Sequence, residues 1–213
     1  MPLIASRSSP FLITPPPAAR DRSSAPDRRC VLCSGAALAL ALISPTARAE
    51  NEDPARSERP QPGDLLAFFE GDRAGQVIKP DDLKSGGPPV LAWPMAPKSK
   101  VLRDGSRFNQ VLLIRLDPNV LEENEKPRAA DGIVGFSAIC THAQCTVAGW
   151  VEERQVLQCP CHQSRYDPKQ GARVVFGPAP RALPALPLKI DGGNLLVAGP
   201  FIGRIGMASP GTG

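Results

Sequence analysis

From Asp64 onward the chain alternates short apolar runs with clusters of Gly, Pro, Asp and Asn, which is the pattern of strands and turns. Val111-Leu112-Leu113-Ile114-Arg115-Leu116 and Ile133-Val134-Gly135-Phe136-Ser137-Ala138-Ile139 are continuous enough to read as buried strands, and Val156-Leu157-Gln158 is a shorter one. Leu186 to Ile190 and Leu195 to Ala198 flank Asp191-Gly192-Gly193-Asn194, which predicts a hairpin turn. No long stretch carries the 3.6-residue period of an amphipathic helix. Pro118 to Ala130 reads as a charged loop with room for one or two helical turns. The pattern predicts a mostly β fold, and it says nothing about how the sheets are arranged.

The N-terminal 49 residues differ from the rest. Arg28-Arg29 precede an apolar stretch from Val31 to Ile43, and Ala47-Arg48-Ala49 follows as an A-x-A cleavage site, the order of an export leader of twin-arginine type. The thirteen residues of that stretch rise only about 20 Å as a helix, against a hydrocarbon core of about 30 Å. The expectation is therefore a cleaved leader and a mature protein, soluble in the periplasm, that begins near Glu50. The alternative is an anchor in the inner membrane with the domain on the periplasmic side. Cys30 and Cys33 form a C-x-x-C inside this segment and read as small apolar filler. Residues 50–63 are charged and proline-bearing and read as an extended linker, 64–206 as one domain, and 207–213 as a flexible tail.

Net charge changes the picture only once the leader is set aside. Residues 1–49 hold six of the 25 basic residues and two of the 21 acidic ones, which leaves 19 of each. A chain neutral beyond its leader gives no basis for a nucleic-acid or anionic-membrane partner.

The candidate chemistry lies in two boxes, Cys140-Thr141-His142-Ala143-Gln144-Cys145 and Cys159-Pro160-Cys161-His162-Gln163-Ser164, which contain both histidines of the chain. Zinc is one reading of two cysteines and two histidines. Zinc fingers, however, pair cysteine with cysteine and histidine with histidine at short spacing, whereas each box here supplies one of each. The boxes, C-x-H-x-x-C and C-x-C-H-x-S, resemble the Rieske 2Fe-2S family. The resemblance implies that Cys140 and Cys159 bind one iron of a 2Fe-2S cluster and His142 and His162 the other. It also implies an all-β fold, small antiparallel sheets with the cluster at one tip, on two loops. Neutral imidazoles in place of two thiolates put such clusters at about −150 to +300 mV, against about −400 mV for all-thiolate ferredoxins.

In respiratory members of that family the positions of Cys145 and Cys161 form a disulphide, which implies an oxidising compartment. Ser164 and Tyr166, the one tyrosine of the chain, stand where quinol-oxidising members donate hydroxyl hydrogen bonds that raise the cluster potential. Gly177-Pro178-Ala179-Pro180 resembles the family's cluster-covering proline loop. Gln144 and Gln163 stand where glycine is common, and Ala143 where leucine is. The resemblance implies an exported electron-transfer subunit. Its donor would be a redox partner such as a molybdenum oxidase catalytic subunit, and its acceptor a cytochrome c or another acceptor. The rival reading is the Rieske subunit of a quinol:cytochrome c oxidoreductase, with quinol oxidised at His162. A Rieske oxygenase is excluded, since it needs two further histidines for a mononuclear iron.

Overall fold

The computed structural model describes residues 53–207. The leader read over 1–49, with Cys30 and Cys33, and the tail read over 207–213, Met207 apart, lie outside them. The chain divides into units 1–47 and 48–213, and the described residues belong to the second. Eleven strands form in order: β1 Leu65–Phe68, β2 Val90–Met95, β3 Val111–Arg115, β4 Ile133–Ser137, β5 Gly149–Val151, β6 Val156–Gln158, β7 Arg165–Asp167, β8 Arg173–Phe176, β9 Ala185–Leu186, β10 Leu188–Asp191 and β11 Asn194–Val197. Among the described residues the only helices are short 3-10 turns, and none is long and apolar enough to cross a membrane.

All strand pairs are antiparallel and fall into two sheets. The larger runs β10-β11-β1-β2-β3-β4-β9, the smaller β5-β6-β7-β8. Burial explains why β3 and β4 read as unbroken apolar runs. Along β3, Leu112 and Ile114 face a core shared with Leu157 and Tyr166 of the smaller sheet, while Val111 and Leu113 face a second core with Leu66, Ile78 and Leu195. A strand covered on both faces has no polar face to show. The β10–β11 hairpin closes as expected. Asp191 pairs with Asn194, and Gly192 and Gly193 both take the left-handed conformation (φ 55° and 72°) that a two-residue turn of this hand requires.

The segment read as an extended linker is, from Asp53 on, bound to the domain. Arg103 makes a two-pronged pair with Asp64 (2.5 and 3.0 Å), reaches Glu58 at 2.6 Å, and donates to the carbonyl of Ala55 at 3.1 Å. The Arg103 and Asp64 side chains are only 6% and 2% exposed. Arg56 pairs with Asp104, and Asn109 donates to the carbonyl of Glu58. Partners 39 to 51 residues apart hold this segment, so its local composition gave no sign of docking.

The loop between β3 and β4 contains two 3-10 turns, Pro118–Val120 and Lys126–Arg128. Glu125 of that loop is buried, with Arg128 as its ion-pair partner, and burial pushes its carboxyl above the usual 4.5. A raised folded pKa means that this group's contribution to stability is complete below about pH 4.5 and is lost as the pH climbs through the folded value. Glu125→Gln should therefore flatten the alkaline side of that range, as read from denaturant midpoints between pH 4 and 8. Parallel curves for the two proteins would show that Glu125 ionises at no cost.

Candidate metal centre

Strand β4 leads into the first box and the β6–β7 hairpin encloses the second, so the two loops rise from different sheets. They fold alike. The amide of Cys140 donates to the carbonyl of Cys145 (2.9 Å) and that of Gln144 to Cys140 (3.0 Å); Cys159 donates to Ser164 (2.9 Å) and Gln163 to Cys159 (3.0 Å). Gln144 and Gln163 occupy the same left-handed turn position, at φ 60° and 56°. That conformation costs a side chain about 1 kcal/mol, which explains why glycine suits these positions.

In each loop the amides two and three residues on point back at the first cysteine's sulphur: those of His142 and Ala143 at Cys140, those of Cys161 and His162 at Cys159. Both sulphurs are buried. Burial alone would raise both thiols. For Cys140 the Tyr166 hydroxyl and the His142 amide outweigh it and draw the thiol below its ordinary value. Burial and the neighbouring Cys140 sulphur push Cys159 up, so the two thiols titrate as a pair. Such amide cradles favour thiolate and suit metal ligation.

The imidazoles complete the group. His142 is half-buried and His162 exposed, with rings nearly perpendicular (88°) and Nδ1 atoms 3.2 Å apart. Two metal–nitrogen bonds of about 2.1 Å at a tetrahedral angle set their nitrogens about 3.4 Å apart, so the spacing fits one ion held between the rings. Cys145 and Cys161 are joined as a disulphide, with Cα atoms 6.5 Å apart. The sulphurs of Cys145, Cys159 and Cys161 lie within 4.8 Å of one another, but the disulphide leaves only Cys159 of the three as a thiolate donor.

Tyr166 of β7 is fully buried and its hydroxyl lies 3.1 Å from the Cys140 sulphur, bridging the two sheets. Burial, reinforced by that sulphur, drives its phenol pKa upward, so the hydroxyl keeps its proton for donation. Ser164 is equally buried. Its oxygen accepts from the amide of Ala179 at 3.1 Å, which leaves its own proton to donate elsewhere. The loop Gly177 to Pro180 packs on the second box so closely that a β-carbon at Gly177 would stand 2.6 Å from the Cα of Ser164. Sequence reasoning missed Thr141 and Arg181. The buried Thr141 hydroxyl donates to the carbonyl of Arg181 (2.7 Å), and the Arg181 guanidinium holds the carbonyls of Arg204 and Gly206. No local pattern marks them.

A family model described as the Rieske [2Fe-2S] domain matches residues 92–187, the stretch that holds both boxes and the covering loop. The chain carries a Rieske domain. Such a domain implies a Rieske 2Fe-2S cluster, and the cradled thiols and facing imidazoles suit it. The Rieske domain is similar to the cytochrome bc1 complex Rieske iron-sulfur subunit of Streptomyces lividans, 40% identical over 100 residues that cover 46% of this chain and 59% of that one. It is also similar to a putative respiratory nitrate reductase subunit Rieske of Haloferax mediterranei, 46% identical over 76 residues, covering 35% and 34%. The chain thus spans less than two thirds of the length of these relatives. Among solved structures, the soluble domain of Rieske protein II from Sulfolobus acidocaldarius is 25% identical over 45% of this chain and 65% of that one, with a TM-score of 0.34.

Proposed function

We propose that this protein is an exported electron-transfer subunit that passes one electron at a time from a partner oxidoreductase to a cytochrome c or another acceptor. The ligands would be Cys140 and Cys159 on one iron and His142 and His162 on the other. The observation that carries this reading is the meeting of two amide-cradled thiols with two Nδ1 atoms 3.2 Å apart, on loops tied by a disulphide. When bound, the cluster supplies reversible one-electron exchange. The chain's own part is to hold and tune it. The Tyr166 hydroxyl donates toward the Cys140 sulphur, Ser164 has a proton to give, and the Gly177–Pro180 loop excludes water. The exposed His162 gives the electron its shortest way out.

Two features support export: the Cys145–Cys161 disulphide, which persists in oxidising compartments, and the leader-like segment ahead of Glu50. The Haloferax relative's name, a respiratory nitrate reductase subunit, favours the catalytic subunit of a partner oxidoreductase, and a molybdenum oxidase subunit is the partner expected from the sequence. The bc1 names of other relatives favour a second reading, a subunit that oxidises quinol at His162. N-terminal sequencing of the native protein and cell fractionation separate them. A processed start near Glu50 in the periplasm supports the first reading, and an intact leader in the membrane supports the second.

The decisive test of ligation is electron paramagnetic resonance of the reduced protein with iron and zinc analysis. Two irons per chain and a Rieske-type signal, both lost in His142→Ala and His162→Ala, are expected. Stoichiometric zinc without iron would end this reading. Tyr166→Phe and Ser164→Ala should each lower the reduction potential by about 20 to 60 mV, the one-electron equivalent of a hydrogen bond of about 0.5 to 1.5 kcal/mol. Unchanged potentials in both variants would mean that neither hydroxyl serves the reduced state.

A further inference from the structure

Charge that nearly balances over the described residues, 19 basic against 17 acidic, is sorted along them. Residues 132–151 contain no charged side chain, and residues 155–190 contain one carboxylate, Asp167, which is buried at the end of β7 away from the boxes. Five carboxylates lie at the other end of β4, in the β3–β4 loop: Asp117, Glu122, Glu123, Glu125 and Asp131; Lys126 and Arg128 of the same loop pair with Glu123 and Glu125, and Arg115 of β3 pairs with Asp131, so the loop itself is acidic by five residues to two. Arg107, Arg165 and Arg181 adjoin the histidine loops. Arg107 donates to the carbonyl of Gln144 in the first box, and Arg165, next to Ser164, lies 5.1 Å above the ring of Phe176. Arg181 accepts the Thr141 hydroxyl at its carbonyl and holds Arg204 and Gly206 beside that box. Each is fixed by a contact, so the positive charge has a defined place. The two boxes and the Gly177–Pro180 loop carry no acidic, lysine or arginine side chain and expose His162, Ala143 and Pro178, and Phe176 beside that loop is 56% exposed.

We propose that this arginine-rimmed, uncharged face selects a redox partner that presents a carboxylate-rimmed surface. The inference rests on the electron-transfer reading and names the chemistry of the partner. Rim charges of one sign steer an oppositely charged protein and set its orientation, while the uncharged centre is dehydrated on contact. The acidic β3–β4 loop at the far end repels the same partner, so encounters by the wrong end are discouraged. Composition hides this, because the two ends cancel.

Two probe pairs of opposite charge test the proposal on the loaded protein. Redox-inert hexacyanochromate(III) should broaden the amide resonances of Arg107, Phe176, Leu183 and Gly206, and tris(ethylenediamine)chromium(III) those of residues 117–131. The cation broadening the first set, or both ions broadening both sets equally, would overturn the proposal. In the second arm, ferricyanide takes one electron from the reduced protein to give ferrocyanide, and tris(phenanthroline)cobalt(III) takes one to give the cobalt(II) complex. Raising ionic strength from 10 mM to 0.5 M should slow ferricyanide about tenfold or more and not slow the cobalt complex. Arg107→Gln with Arg165→Gln should remove most of that salt dependence while keeping the fold. Equal salt dependence for both oxidants overturns the proposal. Correct mapping of the chromium ions in a protein that neither oxidant can discharge would instead retain the anion-selecting face and defeat the electron-transfer reading.

Discussion

Arg103→Ala is expected to destabilise the domain by about 3 to 5 kcal/mol, because it strands the carboxylate of Asp64 in a site where that side chain is 2% exposed. The mechanism is desolvation more than lost attraction. Asp64 accepts two hydrogen bonds from Arg103 and one from the amide of Gln61, and Asp64 in turn holds the guanidinium pKa above its ordinary value. Removing the cation leaves the anion with one donor and no water. Arg103 also secures Glu58 and the carbonyl of Ala55, so residues 53–63 should come loose in the same variant. Denaturant midpoints with limited proteolysis of this segment measure both effects. The double variant Arg103→Met with Asp64→Leu should recover most of the loss, because apolar groups of similar size need no partner. A loss below 1 kcal/mol in the single variant would show that water reaches Asp64.

Opening the disulphide should have a comparable effect on stability and a larger one on the metal site. Cys145→Ser with Cys161→Ser removes a link across 16 residues, worth about 3 kcal/mol as a restraint on the unfolded chain. In the native state the link joins the loop from β4 to the loop between β6 and β7, and with it the chains bearing His142 and His162. The double serine variant should retain the β scaffold by circular dichroism yet lose iron to a chelator many times faster than the parent protein. Iron retained as firmly as in the parent would mean that the ligands alone hold the loops together.

How far the sequence foretold this molecule depends on the range of the interactions involved. β3, β4, β6 and the β10–β11 hairpin were legible because burial on two faces, or a Gly-Gly turn, writes itself locally. β1 has four residues, and β2 carries Pro94, which pairs with Leu66 beyond the last β2–β3 partner, Ala92. Short length and a proline obscured both. β7 and β8 were hidden because Arg165, Asp167 and Arg173 give them a polar look, although Tyr166 fills the core between the sheets. Of the site, the two boxes, the disulphide pair and Ser164 and Tyr166 could be read because the resemblance fixes them by spacing. The docking of residues 53–63, the burial of Glu125 and the roles of Thr141 and Arg181 depend on partners remote in sequence, and no window of local composition records them.

The small sheet meets the large one through the core around Leu157 and Tyr166 and at the two loops, and this sets an order of events for a chain without metal. β5 to β8 are three or four residues each and pair only with one another, whereas the large sheet has seven strands and a core on both faces of β3. In the metal-free protein the small sheet is therefore the part to open first, and its amides should exchange with solvent ahead of those of β3 and β4. Filling the site would rivet the two sheets into one cooperative whole. Amide exchange rates in β6 and β7 thus become a direct gauge of how completely a preparation has been loaded.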